Sequence, residues 1–229
     1  MVDTERFQLG PQLIHTVTTV AAQVAVRQGE TASPLQVATY VPLDVDSVGR
    51  ILEAVEEDYD LERIERDGIC YFSFKDPDAI LDEPIDIDAG EHLAHLPDLE
   101  NNLAALKSDE GWSRKVREQH DILQIAAGSD SRTVELPYFL SRTDVPSARV
   151  QSILNDFDAE NYVEHDLDEE DDVLEYAFPE LDYPEARHAR NMEILAELDG
   201  SDRVYRIWLV LGAFALVLLI VVIVLRFYA

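Results

Sequence analysis

Few residue groups in this chain have the types and spacing that chemistry requires. His92 and His95, with Asp88 and Glu91 beside them, can place two imidazoles on adjacent turns of a helix. A metal site there needs a third ligand and an ordered second shell, so the expectation is surface histidines and no metal. The carboxylates Asp168–Asp172 follow one another without the glycine and spaced ligands of a calcium loop, and read as a solvated acidic loop. The nine glycines form no GxGxxG or GxxxxGK[ST] pattern, and no GxSxG elbow occurs. The single cysteine, Cys70, excludes an intramolecular disulfide and any multi-cysteine zinc site; within the alternating run ICYFSF it reads as a buried strand position. No cofactor and no enzymatic activity is expected.

Charge narrows the field further. With 47 acidic and 18 basic residues the net charge is −29, and only three of the cations are lysines. Such a balance repels nucleic acid and anionic lipid alike. Adaptation to a salt-rich cytoplasm and recognition of a basic protein partner both produce it. The cations cluster at Arg63/Arg66, at Arg114, Lys115 and Arg117, and at Arg142 and Arg149.

The elements that carry these residues follow from periodicity. Leu13, Val17, Val20 and Val24 recur at helical spacing in 12–27, and Gly29 ends the run. Ser33-Pro34 is an N-cap and first helical position for a short helix over 35–40. Asp44 starts a third, with Val45, Val48, Ile51, Leu52 and Val55 on one face. LERIERDGICYFSF then holds two strands around Asp67-Gly68, a tight-turn dipeptide. The second half repeats the plan. A helix over 112–127 stops at Gly128, a short helix over 134–140 contains Pro137, and Ser147 caps SARVQSILNDF. Strands follow over 161–164 and 173–178. Asp44, Val45 and Ser47 correspond to Asp144, Val145 and Ser147; after a two-residue slip, Val48, Ile51 and Leu52 correspond to Val150, Ile153 and Leu154.

Three helices followed by a β-hairpin, twice over, resemble the winged helix-turn-helix superfamily. The resemblance implies an α+β chain with a winged-helix domain over 1–75, an acidic connector over 76–110 and a second winged-helix domain over 111–179. A juxtamembrane helix and linker over 180–202 and a transmembrane tail anchor over 203–229 complete the expected architecture. Ile207–Leu225 supplies nineteen residues without a charge, roughly 28 Å of helix, flanked by Arg206, Trp208, Arg226 and Tyr228. Arg187, Arg190, Arg203 and Arg206 on its N-terminal side imply a cytoplasmic body attached by a single pass.

A winged helix that reads DNA places its third helix in the major groove and supplies cations from helix ends and wing. Here the third helix of the first domain has Arg50 among seven acids between Asp44 and Asp60, and the second wing reads EHDLDEEDD. The expectation is therefore a membrane-tethered acidic adaptor that binds an unknown cytoplasmic protein through winged-helix surfaces, a basic one where the acidity is a binding feature. Similar acidic tandem pairs occur among kleisin-binding subunits of bacterial condensins and in the endosomal sorting machinery, a likeness of architecture and charge that implies a class and no partner. The alternative is a membrane-anchored DNA-binding transcriptional regulator using Arg142, Arg149, Arg114, Lys115 and Arg117.

Overall fold

A computed structural model describes residues 11–81, 85–94, 112–168 and 173–197. Helix α1 (Pro11–Gln28) leads to a two-residue strand β1 (Thr31–Ala32), then α2 (Pro34–Ala38) and α3 (Val45–Ala54). Strands β2 (Leu61–Arg66) and β3 (Ile69–Phe74) complete the first half as a hairpin, and α4 (Glu91–Ala94) lies beyond it. The second half runs α5 (Trp112–Ala127), β4 (Thr133–Glu135), α6 (Leu136–Leu140), α7 (Ser147–Ala159), β5 (Glu164–Asp168) and β6 (Val173–Ala177). A last helix, α8, covers residues 185–197.

Local chemistry accounts for several of these boundaries. Ser33 forms a reciprocal capping box: its Oγ accepts the Gln36 amide N–H, and Gln36 Oε1 accepts the Ser33 amide N–H. Pro34 at the first helical position has no N–H to leave unpaired. Asp67 and Gly68 both take positive φ, 51° and 72°, as the two central residues of a hairpin turn whose twist matches the flanking strands.

The expected architecture, two winged-helix domains of three helices plus a hairpin each with a transmembrane helix behind them, requires correction. The chain is α+β with two small antiparallel three-stranded sheets, ordered β1-β3-β2 and β4-β6-β5. Each hairpin gains a third strand from the segment between the first and second helices of its half. Strands of two and three residues show no alternation in sequence; they are held by pairing with β3 and β6. Among the described residues no helix is long and apolar enough to cross a membrane. The expected span, Ile207–Leu225, lies outside the described residues, as do Arg206, Trp208, Arg226 and Tyr228. Two smaller corrections concern the second half. Ser147 is the first residue of α7, with Pro146 at the cap and no side-chain cap bond. The strand expected over 161–164 begins only at Glu164.

Both halves belong to one compact unit, Met1–Met192. The first core gathers Leu13, Val17, Val20, Leu35, Val48, Ile51, Leu52, Phe72 and Phe74, all at most 1% exposed. Helix α1 is buried on every side from Thr16 to Ala25, because the segment after β3 returns over its outer face: the turn at Pro77–Ala79 and α4 both pack on it, and Ile87 and His92 of the same segment are buried. The described parts of the segment expected to be an acidic connector thus cover the first core. The second core is built from Val116, Ile122, Leu123, Phe139, Val150, Ile153, Leu154, Phe157 and Tyr176.

The halves meet along α3. Its first amide, Val45 N–H, donates to Gln119 Oε1 of α5 at 3.0 Å. Asp44 Oδ1 accepts Ser47 N–H at 3.0 Å, while Asp44 Oδ2 accepts the Ser47 hydroxyl at 2.7 Å and Trp112 Nε1–H at 3.0 Å. Lys115 Nζ reaches Asp46 at 2.7 Å. On the next turn a Cβ at Gly49 would stand 2.0 Å from the Tyr162 hydroxyl, and Cys70 N–H donates to Asn161 O at 2.6 Å. Alanine ordinarily gains about 1 kcal/mol over glycine within a helix. At Gly49 it collides with Tyr162, so G49A is expected to lose roughly 1–3 kcal/mol through overpacking. Removing the hydroxyl in a G49A/Y162F double variant should restore part of the loss, measured by urea unfolding of the single and double variants.

Candidate interaction surface

The cations available to a nucleic acid are already engaged inside the protein. Arg114 Nε and Arg149 Nε each donate at 2.7 Å to opposite oxygens of Glu118. Burial alone pushes the Glu118 carboxyl up, and the two guanidinium bonds outweigh it, holding the group below the usual carboxylate range. Lys115 spends its charge on Asp46, which outweighs burial and raises the ammonium pKa. The Arg142 guanidinium lies 3.6 Å over the Tyr138 ring and donates to Ser141 Oγ at 3.1 Å. Arg117 is half-buried on α5. Arg114, Lys115, Arg142 and Arg149, expected to touch DNA in the alternative reading, therefore have partners in the fold. Arg114 and Arg142 also line an open cleft of about 400 Å³ between α5 and the α6–α7 turn, where Glu118, Asp121 and Asp144 offset their charge.

Of the two third helices, α3 is covered and α7 is not. Apart from Arg50, Glu53 and the half-buried Asp46 and Ala54, α3 is buried. On α7, Ser147, Ala148, Gln151, Asn155, Asp156 and Ala159 are exposed. Beside it β5 exposes Glu164, His165, Asp166 and Leu167, and His165 Nδ1 meets Asp158 of α7 at 2.6 Å. The free surface of the second half is therefore polar and acidic, with Leu167 47% exposed.

A buried polar chain that no sequence motif announces ties α5, α8 and the link after β6 to the α2–α3 corner. His120 of α5 is fully buried. Its Nε2 lies 3.0 Å from Leu43 O, an atom that only accepts, so Nε2 carries the proton and Nδ1 is the acceptor. Tyr183 O–H then donates to Nδ1 at 2.5 Å, and Asn191 Nδ2 donates to both Tyr183 Oη and Thr39 O. Gln36 Nε2 donates to Glu180 O at 2.9 Å. His92, expected on the surface, is 1% exposed and its Nε2 lies 2.7 Å from Tyr40 O; burial lowers its pKa. Arg187 stacks 3.8 Å over the Tyr40 ring and bridges Asp88 at 2.7 Å and Asp182 at 3.1 Å. Four backbone carbonyls at the α2–α3 corner and the link after β6 are thus held by side chains distant in sequence. His95 lies outside the described residues. Among those described, no group of three or more metal-ligating side chains comes together.

No protein-family model matches the chain, and no curated protein matches it in sequence.

Burial lowers the His120 pKa from 6.5 to about 4. Below pH 6.5 the unfolded chain takes up a proton that the folded chain refuses, so stability falls progressively as pH drops from 6.5 to about 4. The group's share of that loss is about 3 kcal/mol. Urea unfolding across this range should show a shallower pH slope for His120→Gln than for the natural chain.

Proposed function

We propose that the chain is a non-enzymatic, acidic protein-binding module, an adaptor whose partner surface is basic. The two halves repeat one order, helix–strand–helix–helix–strand–strand, which supports kinship with the winged-helix superfamily. The observation that carries the functional reading is the burial of α3 against α5 and Tyr162, together with the pairing of the cations around α7. The helix that would read a groove in the first half fully exposes only Arg50 and Glu53, a cation beside an acid. The corresponding helix in the second half presents Gln151, Asn155 and Asp156 beside the exposed acids of β5. Duplex DNA demands cations at this position and release of their counterions; a basic protein surface is the complementary partner.

The alternative, a DNA-binding regulator, draws on Arg142, whose guanidinium stacks on Tyr138 and donates to Ser141 Oγ while flanking the start of α7. Single-pass attachment with the body in the cytoplasm rests on residues 203–229, outside the described residues, and resistance of the full chain to alkaline carbonate extraction from membranes would support it.

Titration with random-sequence duplex at low salt separates the two functional readings. The adaptor reading expects no binding tighter than roughly 10 μM, with cross-links to a captured basic protein mapping to α7 and β5. Micromolar or tighter duplex binding that strengthens as salt falls, as counterion release requires, would overturn it.

A further inference from the structure

The two sheets leave different edges open. In the first, β2 carries both signs along its exposed positions, Glu62, Arg63, Glu65 and Arg66. In the second, β5 reads EHDLD, with no cation but a partnered histidine. The backbone register says which of its groups are free. Phe178 N–H donates to Arg132 O, so the even-numbered residues of β6 turn their backbone toward β4. The odd ones, Val173, Glu175 and Ala177, turn theirs toward β5, where they pair with Asp168, Asp166 and Glu164. The N–H and C=O groups of His165 and Leu167 therefore point away from the sheet.

Nothing in the described structure pairs with that edge through the backbone. The tip of the first hairpin, Gly68, lies against the Glu164 side chain at the start of the strand, and Cys70 N–H donates to Asn161 O before the strand begins. Leu167 N–H is instead occupied by the adjacent Asp166 Oδ1 at 2.8 Å. His165, Asp166 and Leu167 are all exposed, Leu167 to 47%. An open edge with an exposed leucine is ordinarily an aggregation hazard that lysines suppress. Here carboxylates take that role. A second copy pairing along β5 would bring Glu164 and Asp166 against the same acids, which like-charge repulsion disfavours. The same carboxylates attract an extended strand of opposite charge.

We propose that the β5 edge takes an extended cationic peptide segment of the partner as a fourth antiparallel strand. This deepens the adaptor reading and rests on it. The incoming backbone pairs with His165 and replaces the Asp166 carboxylate on Leu167 N–H. Asp166, released, joins Glu164 on the same face of the strand to meet the peptide's lysines or arginines, and Leu167 on the other face packs an alternate apolar side chain.

The test uses the full chain and a fluorescently labelled peptide of alternating lysine and valine, Lys-Val-Lys-Val-Lys. The peptide should bind more tightly as salt falls, and the His165 and Leu167 amides should gain protection from hydrogen exchange. His165→Pro removes an outward N–H that the β5–β6 ladder does not use; it should weaken binding about tenfold or more, whereas His165→Ala should bind nearly as the natural chain does. Independently of that variant's folding, the same peptide with alternate backbone nitrogens methylated should lose binding to the natural chain. Equal binding by the methylated peptide, or no change in amide protection, would overturn edge pairing while leaving a charge-driven adaptor intact. Absence of peptide binding also overturns it, and coupled with tight duplex binding it overturns the adaptor reading as well.

Discussion

The start of α3 is the point on which the rest of the structure depends. A helix N-terminus leaves several amide N–H groups without intrahelical partners, and buried ones must be satisfied. Asp44 and Gln119 divide that task between the two halves of the chain, one local and one 74 residues away. Asp44 also accepts Trp112 Nε1–H, so the residue that caps α3 anchors the first turn of α5. Because Gly49 has no side chain, the hydroxyl end of Tyr162 can approach the next turn closely. Separating the halves would strand Val45 N–H, expose Tyr162 and leave Trp112 without its acceptor. Burial of these groups is thus inseparable from the secondary structure they cap.

This seam also decides how an extremely acidic chain distributes its few cations. Surface ion pairs contribute little, yet Arg114, Lys115 and Arg149 sit where each ties elements from different parts of the chain or holds the poorly exposed Glu118 in its charged form. Arg187, 4% exposed, is held by Asp88, Asp182 and the Tyr40 ring. The cations are spent on cohesion. What remains on the free face of the second half is carboxylate and amide, the opposite of a phosphate-binding surface.

Much of the element order was legible because it depends on local chemistry. Ser33-Pro34, Asp44 and Asp67-Gly68 act on backbone groups within three residues of themselves, so their effects are written next to them in the chain. The two short strands β1 and β4 were not legible, since two or three residues carry no period and acquire their conformation from β3 and β6. His92 departs from its expected exposure for a related reason: an imidazole in a polar stretch is exposed unless something folds over it, and here the segment carrying it folds back over α1. The basic residues proposed for DNA were identifiable as clusters, but their partners Asp46 and Glu118 could be assigned only by knowing which helix faces which.

From the sequence alone came the order of the helices, the caps at Ser33 and Asp44, the hairpin turn, the internal repetition of order and the dominant negative charge, because each follows from short-range backbone preference or from simple composition. Tertiary structure alone decided that the two halves share a seam, that α3 is covered while α7 and β5 remain open, and that His120, Tyr183 and Asn191 form one directed chain of hydrogen bonds. Those outcomes depend on pairing donors with acceptors across 60 to 150 residues, and nothing in the local pattern of a chain specifies which distant acceptor will arrive.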